Sequence, residues 1–365
     1  MSTAYPLSNE THFVQLRTPL ALESGAVLHD VTIAWCSWGK LNHERDNAVL
    51  VCHALTGSAD VAAWWPGMLG SDCALDPERD FILCSNVLGG CYGTTGTSDI
   101  NPNTGRRYGN AFPAITIRDM VKTQARMLDE LGISKLALVI GGSLGGMQVL
   151  EWAALYPQRV QAIVPIAVSG RQSAWAIGFS EAQRCAIYAD ADWKDGCYRP
   201  DRPPAIGLAA ARMIAMLSYR HWRGFEARFR RKRRDNGRFE VESWLRHHGE
   251  KLVRRFDAAS YVRLTQAMDS HDLGHVRGDY HATLAAITTP ALVVGISSDI
   301  LYPLAEQQEL AACLPNARLM VMDSVHGHDA FLMETGDLNR RIQAFRDSLS
   351  EPAREKYEEL FPCKL

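Results

Sequence analysis

Apolar residues in this chain of 365 fall into short continuous runs separated by stretches of helical period. "NAVLVCHAL" (47–55), "DFILCSNVLG" (80–89), "KLALVIGGS" (135–143) and "VQAIVPIAV" (160–168) are bounded by turn residues, the pattern of strands covered on both faces. Between the second and third, "TIRDMVKTQARMLDELGI" repeats Ile117, Met120, Val121, Ala125, Met127 and Leu128 near a helical period, and Gly132 follows as a stop. This predicts β-α-β and a mostly parallel sheet. Ahead of residue 46 the pattern alternates instead, in "HFVQLRTPLAL" and "LHDVTIAWCSW", which predicts antiparallel strands at one edge.

From about Gln172 to Ala285 the strand rhythm stops, and helix formers and arginines dominate, with "GLAAARMIAMLSYRHW" the clearest helix. It resumes with "PALVVGIS" (290–297), the helical "PLAEQQELAACL", the strand "ARLMVMDS" (317–324) and a closing helix from about Ala330. The expected architecture is an α/β core built from residues 1–171 and 286–365, interrupted by a helical insertion over 172–285. No internal repeat or low-complexity tract is evident.

Composition narrows the class without naming an activity. With 47% hydrophobic residues, 22% charged residues and a formal net charge of -2, the chain reads as an ordinary globular protein with no global attraction to nucleic acid or membrane. Nine scattered cysteines without a C-x-x-C pair argue against both a disulfide framework and a zinc site, and no histidine cluster has metal-ligand spacing. The N-terminus lacks a basic segment followed by an apolar one, and no apolar run reaches about 18 residues, so a reducing cytoplasm is the expected location. The basic run "RFRRKRR" (228–234) lies within the insertion and reads first as a solvated face, second as a contact for an anion such as a nucleotide phosphate.

Chemistry enters at "GGSLG", residues 141–145, which fits G-x-S-x-G between a predicted strand and a predicted helix. So tight a corner needs neighbours without bulky side chains, and it lifts the Ser143 hydroxyl above the carboxyl ends of the strands. A serine nucleophile needs a base, and the base an orienting acid; in this class of fold they follow in the order Ser, Asp or Glu, His. Asp299 follows the strand "ALVVGIS", and His328 follows the last strand, both at the edge where Ser143 stands. Asp323 also ends a strand, and His326 is two residues from His328, so residue patterns alone leave both pairs open. For the oxyanion the expected donors are the backbone N–H of Leu144 and a second from the loop "HALTGSAD", at about Leu55, with His53 shaping that turn.

These segments also carry a family likeness. "CHALTGSAD", "NVLGGCYGTTG", "NPNTGRRYGNAFPAITIRDMV", "GGSLGGMQVLEWA", "SDILYP" and "GHDAFL", spread from Cys52 to Leu332, resemble the homoserine O-acetyltransferases, acyltransferases of the α/β-hydrolase fold that serve methionine synthesis. The resemblance implies Ser143 as nucleophile, Asp299 as acid and His328 as base, in preference to Asp323 and His326. It further implies Arg212 as the group that holds the homoserine carboxylate and Asp329 as the group that meets its amine, a cation for an anion and an anion for a cation. Two positions depart from the usual pattern: Leu144 where methionine is common, and Thr97 where proline is common.

Succinyl-using relatives place an arginine two residues after the catalytic aspartate; here that position is Leu301, which favours an acetyl donor, because a buried succinyl carboxylate needs a cation. The resemblance therefore implies acetyl-CoA and L-homoserine as substrates, ping-pong chemistry through an acyl-Ser143, no permanently bound cofactor or metal, and a homodimer packed through a helical lid. The competing expectations are a homoserine O-succinyltransferase or serine O-acyltransferase on the same fold, an esterase or thioesterase with the same triad, and a silent binding protein.

Overall fold

The computed structural model describes residues 6–349; Cys363 and the ends of the expected core segments lie outside them. Eight strands form one sheet: β1 (His12–Gln15), β2 (Thr32–Trp38), β3 (Ala48–Cys52), β4 (Phe81–Ser85), β5 (Leu138–Gly142), β6 (Ile163–Ile166), β7 (Ala291–Ile296) and β8 (Ala317–Met322). Their spatial order is β1-β2-β4-β3-β5-β6-β7-β8. β2 runs antiparallel to both neighbours, with Trp35 opposite Ser85, and every pairing from β4 to β8 is parallel. The alternating N-terminal segment thus becomes the antiparallel edge, and the continuous apolar runs become the parallel interior. Strands such as β3, β5 and β7 are buried at every position because both faces are covered.

Helices of six residues or more are α1 (Ile117–Glu130), α2 (Leu144–Leu155), α3 (Ala174–Tyr188), α4 (Ala205–Ser218), α5 (Trp222–Arg228), α6 (Glu240–Val253), α7 (Ala258–Asp269), α8 (Tyr280–Ala285), α9 (Leu304–Cys313) and α10 (Thr335–Asp347). A capping box starts α1: Thr116 Oγ1 accepts the Asp119 N–H, and Asp119 accepts the Thr116 N–H. α2 is buried from Leu144 to Ala153, wedged between the sheet and α1. From β6 to β7 the chain is helical, α3 to α8. Backbone hydrogen bonds from Gln172 to His271 and from Leu273 to Gly170 close a neck beneath α3–α7. α8 follows the neck's second strand and packs on α9.

A buried ionic cluster ties α2 to that neck. Glu151 of α2 accepts from Arg118 Nε at 3.3 Å and Arg277 Nη2 at 2.7 Å, while Arg118 Nη2 donates to the carbonyls of Asp272 and His275. Truncating one member would strand a buried charge, a loss on the order of 3–5 kcal/mol. A second tie joins the loop after β4 to α7: Thr97 Oγ1 donates to Asp257 at 2.9 Å, and Asp257 caps α7 by accepting the Ser260 N–H. The hydroxyl at 97, where proline is common in the resembled family, thereby fastens that loop to the helical segment.

Candidate active site

Between β5 and α2 the backbone of Ser143 takes φ 57° and ψ -124°, a strained conformation for a residue with a side chain. Its N–H donates to the Ile166 carbonyl at 2.9 Å, which pins the corner to β6. Close approach explains the flanking glycines: a Cβ on Gly145 would collide with the Cys52 carbonyl oxygen, and one on Gly142 would meet the Phe331 ring. The first contact brings the loop after β3 against the corner. The second brings the segment after β8, and with it His328, to the same place.

His328 is 3% exposed and Asp299 is 6% exposed. Asp299 Oδ2 lies 2.7 Å from His328 Nδ1, while Oδ1 accepts the N–H groups of Leu301 at 2.8 Å and Tyr302 at 3.0 Å. Each oxygen therefore has a fixed task. The Gly327 N–H donates to Ser298 Oγ at 3.0 Å, joining the loop that carries the histidine to the loop that carries the acid. Around the imidazole stand Tyr219 at 5.6 Å, Tyr302 at 5.4 Å and Phe331 at 5.8 Å between ring centroids. Burial disfavours a charged imidazole here, but the Asp299 carboxylate, its hydrogen bond and Asp329 together outweigh it and raise the His328 pKa above the ordinary value.

The residues left open by pattern alone sit differently. Asp323 accepts a hydrogen bond from Ser297 at 2.9 Å, and His326 stands 3.5 Å from Glu334 at the surface. Of the four possible pairings, the described hydrogen bonds join His328 to Asp299. His53 is buried and held neutral, its pKa pushed down to about 4 by desolvation. Its Nε2 accepts the Val87 N–H at 3.2 Å, so Nδ1 carries the proton and donates to the Ala54 carbonyl at 2.8 Å.

Leu144 opens α2, where the first-turn N–H groups have no intrahelical acceptor. Leu55 lies in a turn closed by the Gly57 N–H on the Ala54 carbonyl at 2.8 Å, and Arg255 braces that turn through the Thr56 carbonyl at 2.7 Å. Neither the Leu55 nor the Leu144 N–H donates to a backbone carbonyl among the described residues. Both are free to face an oxyanion.

Arg212, on α4, lies half-buried with its guanidinium 5.5 Å from the centre of the Tyr219 ring, and no carboxylate stands within 4 Å of it among the described residues. Asp329 donates its N–H to the Tyr219 carbonyl at 3.2 Å, and its carboxylate pairs with Arg220 at 3.0 Å. Tyr219 and Arg220 were not expected from the sequence; they follow α4 in the "SYRHW" run, where arginines are too frequent for one to stand out. The side chain of Leu301 is 6% exposed beside Asp299. No group of three or more His, Cys, Asp or Glu suited to a metal occurs among the described residues, and no helix there is long and apolar enough to cross a membrane.

The chain is similar to known proteins in sequence and in fold. Residues 47–335 match the family model described as alpha/beta hydrolase fold. A homoserine O-acetyltransferase of Trichormus variabilis is 59% identical over 345 residues, which is 94% of this chain and 96% of that protein. Among solved structures, the homoserine O-acetyltransferase from Bacillus anthracis superposes with a TM-score of 0.85 at 23% identity, covering 93% of this chain and 97% of the other. Esterase E22 reaches the same TM-score at 26% identity, over 93% and 100% of the two chains. The same scaffold therefore carries both acyl transfer and ester hydrolysis.

Proposed function

Because the chain belongs to the homoserine O-acetyltransferase family of the α/β-hydrolase fold, an acyltransferase family, we propose that it transfers acetyl from acetyl-CoA to the γ-hydroxyl of L-homoserine through an acyl-Ser143 intermediate, within methionine biosynthesis. In the first half-reaction His328 takes the proton of Ser143 as Oγ attacks the thioester carbon. The oxyanion rests on the Leu55 and Leu144 N–H groups, the C–S bond breaks as His328 passes the proton to the departing sulfur, and CoA leaves as the thiol with the imidazole neutral again. In the second, His328 takes the homoserine γ-hydroxyl proton as that oxygen attacks the acyl-serine, then returns it to Ser143. Asp299, with Oδ1 occupied by two N–H donors and Oδ2 on Nδ1, keeps the imidazole in the tautomer whose Nε2 accepts.

The observation that carries the acceptor assignment is the pairing of two opposite charges around Tyr219. Arg212 has an unoccupied guanidinium for a carboxylate, and Asp329, next in sequence to His328, has a carboxylate for an ammonium. An esterase has no use for such a pair. In the free protein Arg220 occupies Asp329, so the substrate ammonium has to share or displace that cation. The apolar Leu301 beside the acid supports acetyl over succinyl, since a succinyl carboxylate there would lack a cation. No permanently bound cofactor is required. We also assign a cytoplasmic homodimer joined through the helical segment, on which Ile206 and Trp222 are exposed by 82% and 64%.

Hydrolysis of an acyl ester is the second reading, favoured by the likeness to esterase E22. The deciding measurement is thiol release from acetyl-CoA and succinyl-CoA, each with homoserine, serine or no acceptor. Release from acetyl-CoA that depends on homoserine supports the transferase. Equal release with water alone overturns it and withdraws Arg212 and Asp329 from the substrate site.

A further inference from the structure

A cavity of about 280 Å³ lies between α5, Trp244 of α6 and the Val325–His326 turn. Phe225, Phe229, Trp244, Val325 and Met333 give it an apolar lining. It is one layer from the candidate chemistry: Val325 and His326 run directly into Gly327 and His328, and Arg220, in its wall, holds Asp329. Two polar atoms on lining residues, Arg220 Nε and His221 Nδ1, are buried and have no hydrogen-bond partner among the described residues. Such groups are expensive to leave unsatisfied: the Arg220 Nε–H calls for an acceptor, and His221 Nδ1 takes an acceptor or a donor according to its tautomer.

The rim is strongly cationic. Residues 220–238 hold nine arginines and lysines against two carboxylates, in a chain whose formal charge is -2 overall. Apart from Arg220, none of these nine has a carboxylate within 4 Å among the described residues. Arg228 lies over both Phe229 and Trp244, at 5.0 and 5.6 Å, so one guanidinium bridges the apolar pocket and the exposed run beyond it. Arg233 lies 4.1 Å from the Phe239 ring centre, which holds the turn of the basic run beside α6. An aromatic-lined cavity at the head of a dense patch of cations suits a purine bearing several phosphates.

We propose that this cavity and the Arg228–Arg234 turn bind the adenosine 3′,5′-bisphosphate end of the acyl-CoA donor, the base against the aromatic lining and the phosphates on the arginines. The inference rests on the CoA-dependent reading above and names the part of the donor that reading leaves unplaced. The cavity accommodates a purine ring with part of its ribose and not a whole coenzyme, so the pantetheine arm must leave it along the Val325–Gly327 turn towards Ser143.

The test compares acetyl-CoA with S-acetylpantetheine, which carries the same thioester and lacks the nucleotide, and adds calorimetric titration with adenosine 3′,5′-bisphosphate. In an Arg228→Gln/Arg231→Gln variant, both side chains being exposed, the KM for acetyl-CoA should rise about tenfold with kcat unchanged, while the KM for S-acetylpantetheine stays put. Arg228→Lys/Arg231→Lys should restore most of the loss. The bisphosphate should bind the unaltered protein and compete with acetyl-CoA. A variant that shifts both donors equally, or a protein that turns over acetyl-CoA normally yet does not bind the bisphosphate, overturns the site and leaves the proposed function standing. Nucleotide binding that the variant loses, in a protein that never cleaves acetyl-CoA, keeps the site and removes the proposed function.

Discussion

Replacing Asp299 by asparagine isolates one contact without changing shape. Oδ1 already accepts two backbone N–H groups, so the amide oxygen of the introduced side chain must take that position, and its NH2 must face His328 Nδ1. A donor now meets a donor unless the imidazole moves its proton to Nε2, and in that tautomer it cannot accept from Ser143. The expected loss in kcat is on the order of 10⁴, which corresponds to about 5.5 kcal/mol. A second consequence follows from charge. With the carboxylate gone, burial governs, and the His328 pKa should fall in the direction of His53, which desolvation holds at about 4.

In the unaltered protein, thiol release should decline as pH falls through the raised His328 pKa, because the protonated base cannot accept. In Asp299→Asn that acid limb should move to lower pH while the plateau drops. The assay is stopped-flow CoA release across pH 5 to 9 (a range of about four units around neutrality), with Asp323→Asn as control, since Asp323 is bonded to Ser297. Retention of kcat within about tenfold, or an unmoved acid limb, would refute Asp299 as the orienting acid.

Other residues answer to separate measurements. Arg212→Ala should raise the KM for homoserine by about a hundredfold, the worth of a charge-assisted contact, and leave the burst of CoA release intact; a lost burst contradicts its role as a carboxylate clamp. Leu301→Arg should shift kcat/KM towards succinyl-CoA by about tenfold, measured as the ratio of the two donors, and an unchanged ratio removes this position from donor choice. Gly145→Ala should cost about 2–3 kcal/mol or more, because its Cβ collides with backbone at Cys52 that cannot step aside. Denaturant unfolding reads that loss directly, and a neutral result would mean that the loop after β3 can yield.

Much of this protein could be read from periodicity. Continuous apolar runs mark strands covered on both faces, and β3, β4, β5, β6 and β7 all fall within them, because burial on two sides leaves no polar positions to confuse the pattern. The serine corner was legible as a G-x-S-x-G spacing between strand and helix, although its flanking glycines answer to other segments, Gly145 to the Cys52 carbonyl and Gly142 to the Phe331 ring. Asp299 and Asp323, or His326 and His328, could not be told apart in this way. Each follows a strand end, and the difference between them lies in which carboxylate is reached by the Leu301 and Tyr302 N–H groups and by an imidazole from another loop.

The family likeness brought Arg212 and Asp329 forward, yet neither it nor the pattern pointed to Arg220 on the Asp329 carboxylate, to the Tyr219 ring against Arg212, or to an aromatic-lined cavity at the head of the basic run. Strand and helix leave their period among neighbours in the chain, and the sequence carries it openly. Partners of buried charges come from separate segments, about thirty residues apart for Arg118 and Glu151 and more than a hundred for Arg220 and Asp329. Only the packing of the helical segment over the sheet decides which of many similar arginines meets which carboxylate.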